Sequence, residues 1–310
     1  MHEAARPRKS VLPETRTLAL LACIAGNIAL AFGPWFVRAA DVGPVAAAFW
    51  RVALAVPFLV ALSFAVSRKP FAGARDLGPM LVLAGVAFAA DLASWHIGIL
   101  KTTLANATLF GNSATLMFPI YGFFAARAWP SRSQGIALLL AAVGAALLMG
   151  SSYQASARYL VGDLLCLAAG TLYTVYFILM ARARLHVAPL PALTLSSIAS
   201  VLPLLLAALA LDGRIWPDHW GVLIGLALAS QVLGQGLMIY AIGHLPPLVV
   251  GIALLSQPIV AGTVGWIVYG ERLGVADLIG AALVAVALVL VRKGAVASPG
   301  AAPTSEAEGA

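Results

Sequence analysis

Charge is the scarcest thing in this sequence. Asp, Glu, Lys and Arg together make up 10% of its 310 residues, against about 25% in a water-soluble domain. The shortage comes from long runs without charge or amide, such as 135–150. Several runs are long enough for a helix to cross a hydrocarbon core. They are continuous rather than alternating, which excludes a β-barrel. Cysteine is nearly absent too. Cys23 and Cys166 lie inside apolar runs, so there is neither a disulfide framework nor a zinc pattern, and both read as packing residues. There is no Gly-rich Lys-Ser/Thr phosphate loop, so ATP is not a direct driver. No His-Glu-x-x-His, Gly-x-Ser-x-Gly or Cys-His pair at a common depth occurs, which argues against a membrane-embedded enzyme. No cofactor is expected.

What the chain does have is apolar length, 62% of its residues. The expected fold is an all-α polytopic membrane protein. Ten spans are read at roughly 17–38, 43–67, 77–100, 103–125, 133–150, 159–181, 190–211, 217–241, 247–269 and 275–292. A basic lead, 1–16, precedes them, and the run after it is too long for a signal-peptide core. The tail, 294–310, has the composition of a disordered segment. The formal net charge of +7 reflects topology and not a nucleic-acid partner. Arg6, Arg8, Lys9, Arg16, Arg68, Lys69, Arg75, Arg127, Arg132, Arg182, Arg184, Arg292 and Lys293 fall on one side. Arg38, Lys101, Arg158, Arg214 and Arg272 fall on the other. The bias places both termini in the cytoplasm, and the expected location is a bacterial inner (cytoplasmic) membrane.

The chain also repeats itself. Trp95-His96-Ile97-Gly98-Ile99-Leu100 returns 145 positions later as Tyr240-Ala241-Ile242-Gly243-His244-Leu245. At the same offset Gly135 meets Gly280, Ala137 meets Ala282 and Ala142 meets Ala287. Pro57 and Pro203 correspond with one residue of drift. Spans 1–5 (17–150) thus match spans 6–10 (151–293). Five is odd, so the second half enters the membrane from the opposite side. The reading is ten transmembrane helices as two inverted five-helix repeats (5+5), a transporter signature in which two related halves rock about a central site.

Ser256-Gln257-Pro258 in span 9, Gly270-Glu271-Arg272-Leu273 after it and Gly280 opening span 10, with Pro44 and Arg51 in the first half, give the chain a family likeness. It resembles the EamA-type families of the drug/metabolite transporter superfamily over about 17–292. The first half departs from the pattern: Ser113 stands where the second half has Pro258, and Ala126-Arg127 where it has Glu271-Arg272. The resemblance implies transport of small organic solutes, often export of amino acids, through a cavity lined mainly by spans 1, 3, 4, 6, 8 and 9.

Polar side chains in lipid need partners or a wet cavity, so they mark the candidate site. Arg51 and Asp91 lie at similar depth, roughly 12–14 Å below the outer surface. They are read either as a coupling or gating pair or as a static ion pair. His96, one turn from the outer end of span 3, is a proton carrier or an interfacial hydrogen-bonding residue. Gln231 and Gln235, four apart, share a face, as do Tyr173 and Tyr176, three apart. Each pair lines a cavity or joins helices. Span 4 is polar over a wide arc: Thr108, Asn112 and Thr115 on one stripe, Asn106, Phe110 and Ser113 on another. Trp50 and Trp95 line the outer cavity or anchor the interface. Asn27, Tyr240 and Gln257 complete the cavity candidates. Gly33-Pro34 and Pro258 are candidate hinges, since they break helical hydrogen bonds within the membrane. The expected partners are a small-molecule substrate, the lipid bilayer and, as a candidate coupling ion, the proton. Both a monomer and a homodimer fit.

Amides, hydroxyls and aromatics with few fixed charges favour a neutral or zwitterionic solute such as an amino acid, exported by secondary or facilitative transport. The alternatives are a multidrug, nucleoside or nucleotide-sugar carrier of the same superfamily, and a non-transporting membrane scaffold. A nucleotide-sugar site calls for more cavity Lys or Arg.

Overall fold

The computed structural model describes residues 13–102, 107, 110–150, 157–257, 259–260, 263 and 274–296. Among these residues all regular structure is helical. The helices are α1 (Pro13–Ala31), α2 (Gly33–Ala39), α3 (Pro44–Val66), α4 (Gly78–Lys101), α5 (Ala114–Ala126) and α6 (Arg132–Gly150). The second half continues with α7 (Leu160–Ala183), α8 (Pro189–Leu211), α9 (Trp220–Leu226), a π-helical segment (Ala227–Gln235), α10 (Gly236–Ile242), α11 (Pro247–Leu254) and α12 (Val275–Val296). Six stretches are long and apolar enough to cross a membrane: Glu14–Val37, Pro44–Val66, Arg75–Lys101, Leu160–Ala183, Pro189–Leu211 and Trp220–Ile242. Three apolar helices are shorter, Ala114–Ala126, Arg132–Leu147 and Leu278–Ala287. Leu18, Phe58, Leu83, Leu139, Leu202 and Leu206 are exposed on the outside of the bundle. An apolar exterior of this extent needs lipid to cover it.

Proline and glycine set the helix ends and the approach distances. Pro34, Pro44, Pro79, Pro189 and Pro247 each stand at the first or second position of a helix, where a missing N–H costs nothing. Pro57 and Pro203 sit inside helices that remain continuous. The helix of the first span stops at Ala31 and restarts at Gly33. Pro34 has no amide for the carbonyl four residues back, so a break there is the expected response.

α4 lies along α7 and α8, α3 along α8 and the π segment, and α1 along the π segment and α10. α5 packs on α11, and α6 on α12. Glycines permit the closest of these contacts. A Cβ on Gly85 would collide with the Ser196 carbonyl oxygen and come within 2.6 Å of Ala199 Cβ. Ser200 Oγ donates to the Gly85 carbonyl at 2.8 Å across the same seam. Small residues that bring helices together, with hydroxyls bonding across, are the usual means of association where lipid removes the hydrophobic drive.

At one end of the bundle the two halves of the chain cap each other. No side chain of its own caps α3. Instead the Asp212 carboxylate, just after α8, accepts from the Ala46 N–H at 2.6 Å, and Gly43 N–H donates to the Arg214 carbonyl at 2.8 Å. The Asp41 carboxylate in turn accepts from the N–H groups of Asp218 (2.8 Å) and His219 (3.2 Å) at the start of α9. A carboxylate at a helix N-terminus is favoured by the exposed amides and the dipole. Partial desolvation raises the Asp41 carboxyl. The two N–H groups and nearby Arg214 outweigh it and hold the group below its ordinary range. Arg214 also pairs with Asp218. At the opposite end Arg184 donates to the carbonyls of Ile239 (3.1 Å) and Val187 (2.5 Å). It thereby satisfies the Ile239 carbonyl near the C-terminus of α10 and one carbonyl in the loop between α7 and α8.

The Gly85 seam gives a direct check. Gly85→Val should lower the thermal unfolding midpoint in detergent by an amount equivalent to about 1–3 kcal/mol, the usual cost of overpacking. Gly135→Ala, where nothing lies within 4 Å of the added carbon, should not lower it. Equal midpoints for wild type and Gly85→Val would contradict the close packing.

Candidate solute-binding site

The site begins with one arginine. Arg51 stands in the second turn of α3 and is 5% exposed. Its Nε donates to Gln231 Oε1 at 3.2 Å, and Gln231 Nε2 donates to Ser197 Oγ at 3.1 Å. Its Cζ lies 5.8 Å from the centre of the Phe88 ring, within cation–π range. Phe88 stacks on Tyr176 at 4.6 Å, and Tyr173 packs on Phe177 at 4.2 Å. An aromatic wall thus supports the guanidinium from one side, and an amide chain orients it from the other.

Phe88, Asp91, Leu92 and Trp95 follow helical spacing on α4, so they share a face. All four line a cavity of about 130 Å³ together with Arg51, Tyr173, Gln235, Asn112 and Gln257. That is of the order of the about 150 Å³ that holds a benzene-sized molecule. Asp91 is 8% exposed. The ion pairs within 4.0 Å among the described residues all involve Asp41, Arg214, Asp218 and His219. Arg51 and Asp91 therefore face one cavity without closing on each other.

Regular helix fails where the cavity is walled. Ala31 and Pro34 flank the gap between α1 and α2, Gly111 and Asn112 precede α5, and Leu254 and Gln257 flank the end of α11. Gln235 ends the π segment. Irregular backbone at membrane depth is tolerated where it lines a cavity, and π segments frequently mark functional positions. Gly111 lets its loop pass close to the cavity tryptophan, since a Cβ there would lie 2.9 Å from Trp95 Nε1. Gln235 Nε2 donates to the Tyr173 hydroxyl at 3.1 Å. Gln257 Nε2 donates to Asn27 Oδ1 at 2.7 Å.

The other candidates lie elsewhere. Asn27 is fully buried behind Gln257, and Gln231 lies behind Arg51. Tyr176 is buried in the aromatic wall. Trp50 donates to the Ile215 carbonyl at 2.8 Å and packs on Trp216 and Trp220, so it belongs to the capped end of the bundle. His96 is buried, not interfacial, with Nδ1 2.6 Å from the Pro44 carbonyl; donation to that carbonyl requires the Nδ1–H form. Tyr240 packs on His244 at 4.5 Å. Phe110 is half-buried beside Gly111. Gly33 forms the break in span 1 with Ser230 Oγ nearby. Asn106 and Pro258 lie outside the described residues. Sequence reasoning missed Phe88, Ser197 and Gly111. The first is three residues before Asp91, so helical spacing was the available signal; nothing in the sequence marks the other two.

Residues 160–293 match the model of the EamA-like transporter family. Over that stretch the chain is similar to that family. The chain is also similar to the threonine/homoserine exporter RhtA of Salmonella typhimurium strains SL1344 and LT2, at 30% identity over 139 residues. The match covers 44% of this chain and 46% of those relatives, less than half of their length. A solved crystal structure superposes with a TM-score of 0.73 over 92% of this chain and 99% of the other, at 16% identity. At that identity the likeness is one of fold alone.

The Ser197–Gln231–Arg51 chain is testable by stability. Gln231→Leu strands the Arg51 Nε–H in a buried place and should cost about 1–3 kcal/mol, read as a lower unfolding midpoint. Ser197→Ala, which leaves the arginine bond in place, should cost less. The reverse order would contradict the arrangement.

Proposed function

We propose that this EamA-like protein exports a small zwitterionic amino acid by alternating access, binding its carboxylate at Arg51 and its ammonium at Asp91. The carrying observation is that these opposite charges line one small cavity without pairing. Each is nearly buried, and a buried charge without a counter-charge is costly. A zwitterion supplies both counter-charges at once. At 4 Å and an effective dielectric of 20, each contact contributes about 4 kcal/mol before desolvation is counted. An amine satisfies only Asp91 and a carboxylic acid only Arg51. The exporter names of the curated relatives favour outward movement, and threonine and homoserine, which those names carry, are the first solutes to try.

The architecture proposed for this work is the ten-span, 5+5 inverted repeat, 17–150 and 151–293. Both termini are cytoplasmic, in the inner membrane. Helix pairing supports it. Under the 145-residue offset, α4 on α7 becomes α1 on α10, and α4 on α8 becomes α3 on the π segment. The pairs α3–α8 and α6–α12 map onto themselves. Gly33-Pro34 is the proposed hinge of the first half. The proton is the proposed coupling ion, with Asp91 as its carrier.

A flux assay in proteoliposomes tests the reading. Wild type should move L-threonine at least about 30-fold better than its decarboxylated amine or its deaminated hydroxy acid, matching the 2–5 kcal/mol lost when one buried charge lacks its partner. Arg51→Gln should narrow the gap to the amine, and Asp91→Asn the gap to the acid. Equal flux of all three by wild type would exclude the zwitterion site.

A further inference from the structure

We propose that Gln257 reads the solute's side chain: its carboxamide oxygen accepts a hydrogen bond from a side-chain donor, and Asn27, outside the cavity, acts through it as a positioning residue. This rests on the zwitterion reading above.

The orientation follows from donors and acceptors. Asn27 is fully buried. One end of its amide lies 2.9 Å from the Cys23 carbonyl oxygen and 3.2 Å from that of Ala253. Backbone carbonyls only accept, so this end must be the nitrogen. The oxygen of Asn27 is therefore the atom turned towards Gln257, at 2.7 Å. It too only accepts, so Gln257 must meet it with its own nitrogen. What would otherwise be an arbitrary flip of two amides is thus set by two main-chain carbonyls in different helices. Gln257 is left with its oxygen uncommitted, in a residue that lines the cavity.

Leu30, Ala31 and Leu254 are apolar lining residues that offer a side-chain donor no acceptor; Gln235 Oε1, in another lining residue, is buried without a partner and is the acceptor that competes with Gln257. The repeat supplies the contrast. Asn112 stands 145 positions before Gln257, at the matching irregular stretch before α5, and also lines the cavity. Position 27 has Leu172 or Thr171 as its nearest counterpart in the second half, so the repeat places no carboxamide at that position. A solute with a hydroxyl on a short side chain satisfies the Gln257 oxygen. One with a methyl group in its place leaves that oxygen dry and unpartnered, at a loss of about ten- to a hundredfold in affinity.

The test compares L-threonine with L-valine, which replaces the hydroxyl by a methyl group, and L-alanine as a short reference, by titration of the purified full chain. Wild type should bind threonine about ten- to a hundredfold tighter than valine. Gln257→Met should bring the two within about twofold while valine binding persists, which also certifies the fold. Asn27→Ala should narrow the ratio by freeing Gln257 to turn. Equal affinities for threonine and valine in wild type would overturn the proposal without variants, as would an unchanged ratio in Gln257→Met. If wild type binds none of the three, the zwitterion reading itself falls, and this inference with it.

Discussion

A guanidinium and a carboxylate share one small cavity and do not touch. Everything around Arg51 and Asp91 serves to keep that state tolerable. Left alone, two such groups in a low-dielectric interior attract strongly, and a closed ion pair would leave nothing to bind a solute. Arg51 is held back by the Gln231 amide on one side and the Phe88 ring on another. Asp91 is carried on a different helix, with α4 fixed by its seams against α7 and α8. The separation is thus a product of helix packing, and Gly85 and Ser200 matter to the site although neither approaches it.

The same constraint accounts for where the helices are irregular. A cavity between apolar helices has few polar groups of its own. Breaks at Phe32 and before α5, and the π segment in the long Trp220–Ile242 span, bring backbone and amides to its wall. Regular helix resumes on either side, and side chains close the bundle ends, at one of them by capping between the two halves of the chain. At one end Asp212 and Asp41 serve helices that follow the loops opposite them. At the other, Arg184 serves the end of α10. Contacts of this kind break and form at little cost compared with the apolar seams, which suits them to the ends of a protein whose halves are proposed to move.

Much of this was legible in the sequence, for physical reasons. Apolar runs report helices in lipid without knowledge of partners. A charged or amide side chain deep in such a run must face protein or water, and so Arg51, Asp91 and Gln235 could be named. What the sequence did not convey is which side chain lies in front and which behind. Gln231 and Gln235 share a face by α-helical spacing, yet one orients the arginine and the other lines the cavity. The π segment widens the turn between them, and no local pattern announces it. Asn27 and Gln257 are 230 residues apart and form one amide relay. Its orientation depends on two backbone carbonyls, which leave no trace in residue identity. Asp212 reads as an ordinary loop acid until α3 is found lacking a cap of its own.

What occupies the space between Arg51 and Asp91 decides whether the two charges form a zwitterion site. The most direct measurement is an experimental structure of the protein with a bound small amino acid. It should place the solute carboxylate within hydrogen-bond reach of the Arg51 guanidinium and the ammonium within reach of Asp91, with the Gln231 contact to Arg51 kept. A solute bound elsewhere, with Arg51 and Asp91 closed on each other as an ion pair, would contradict it.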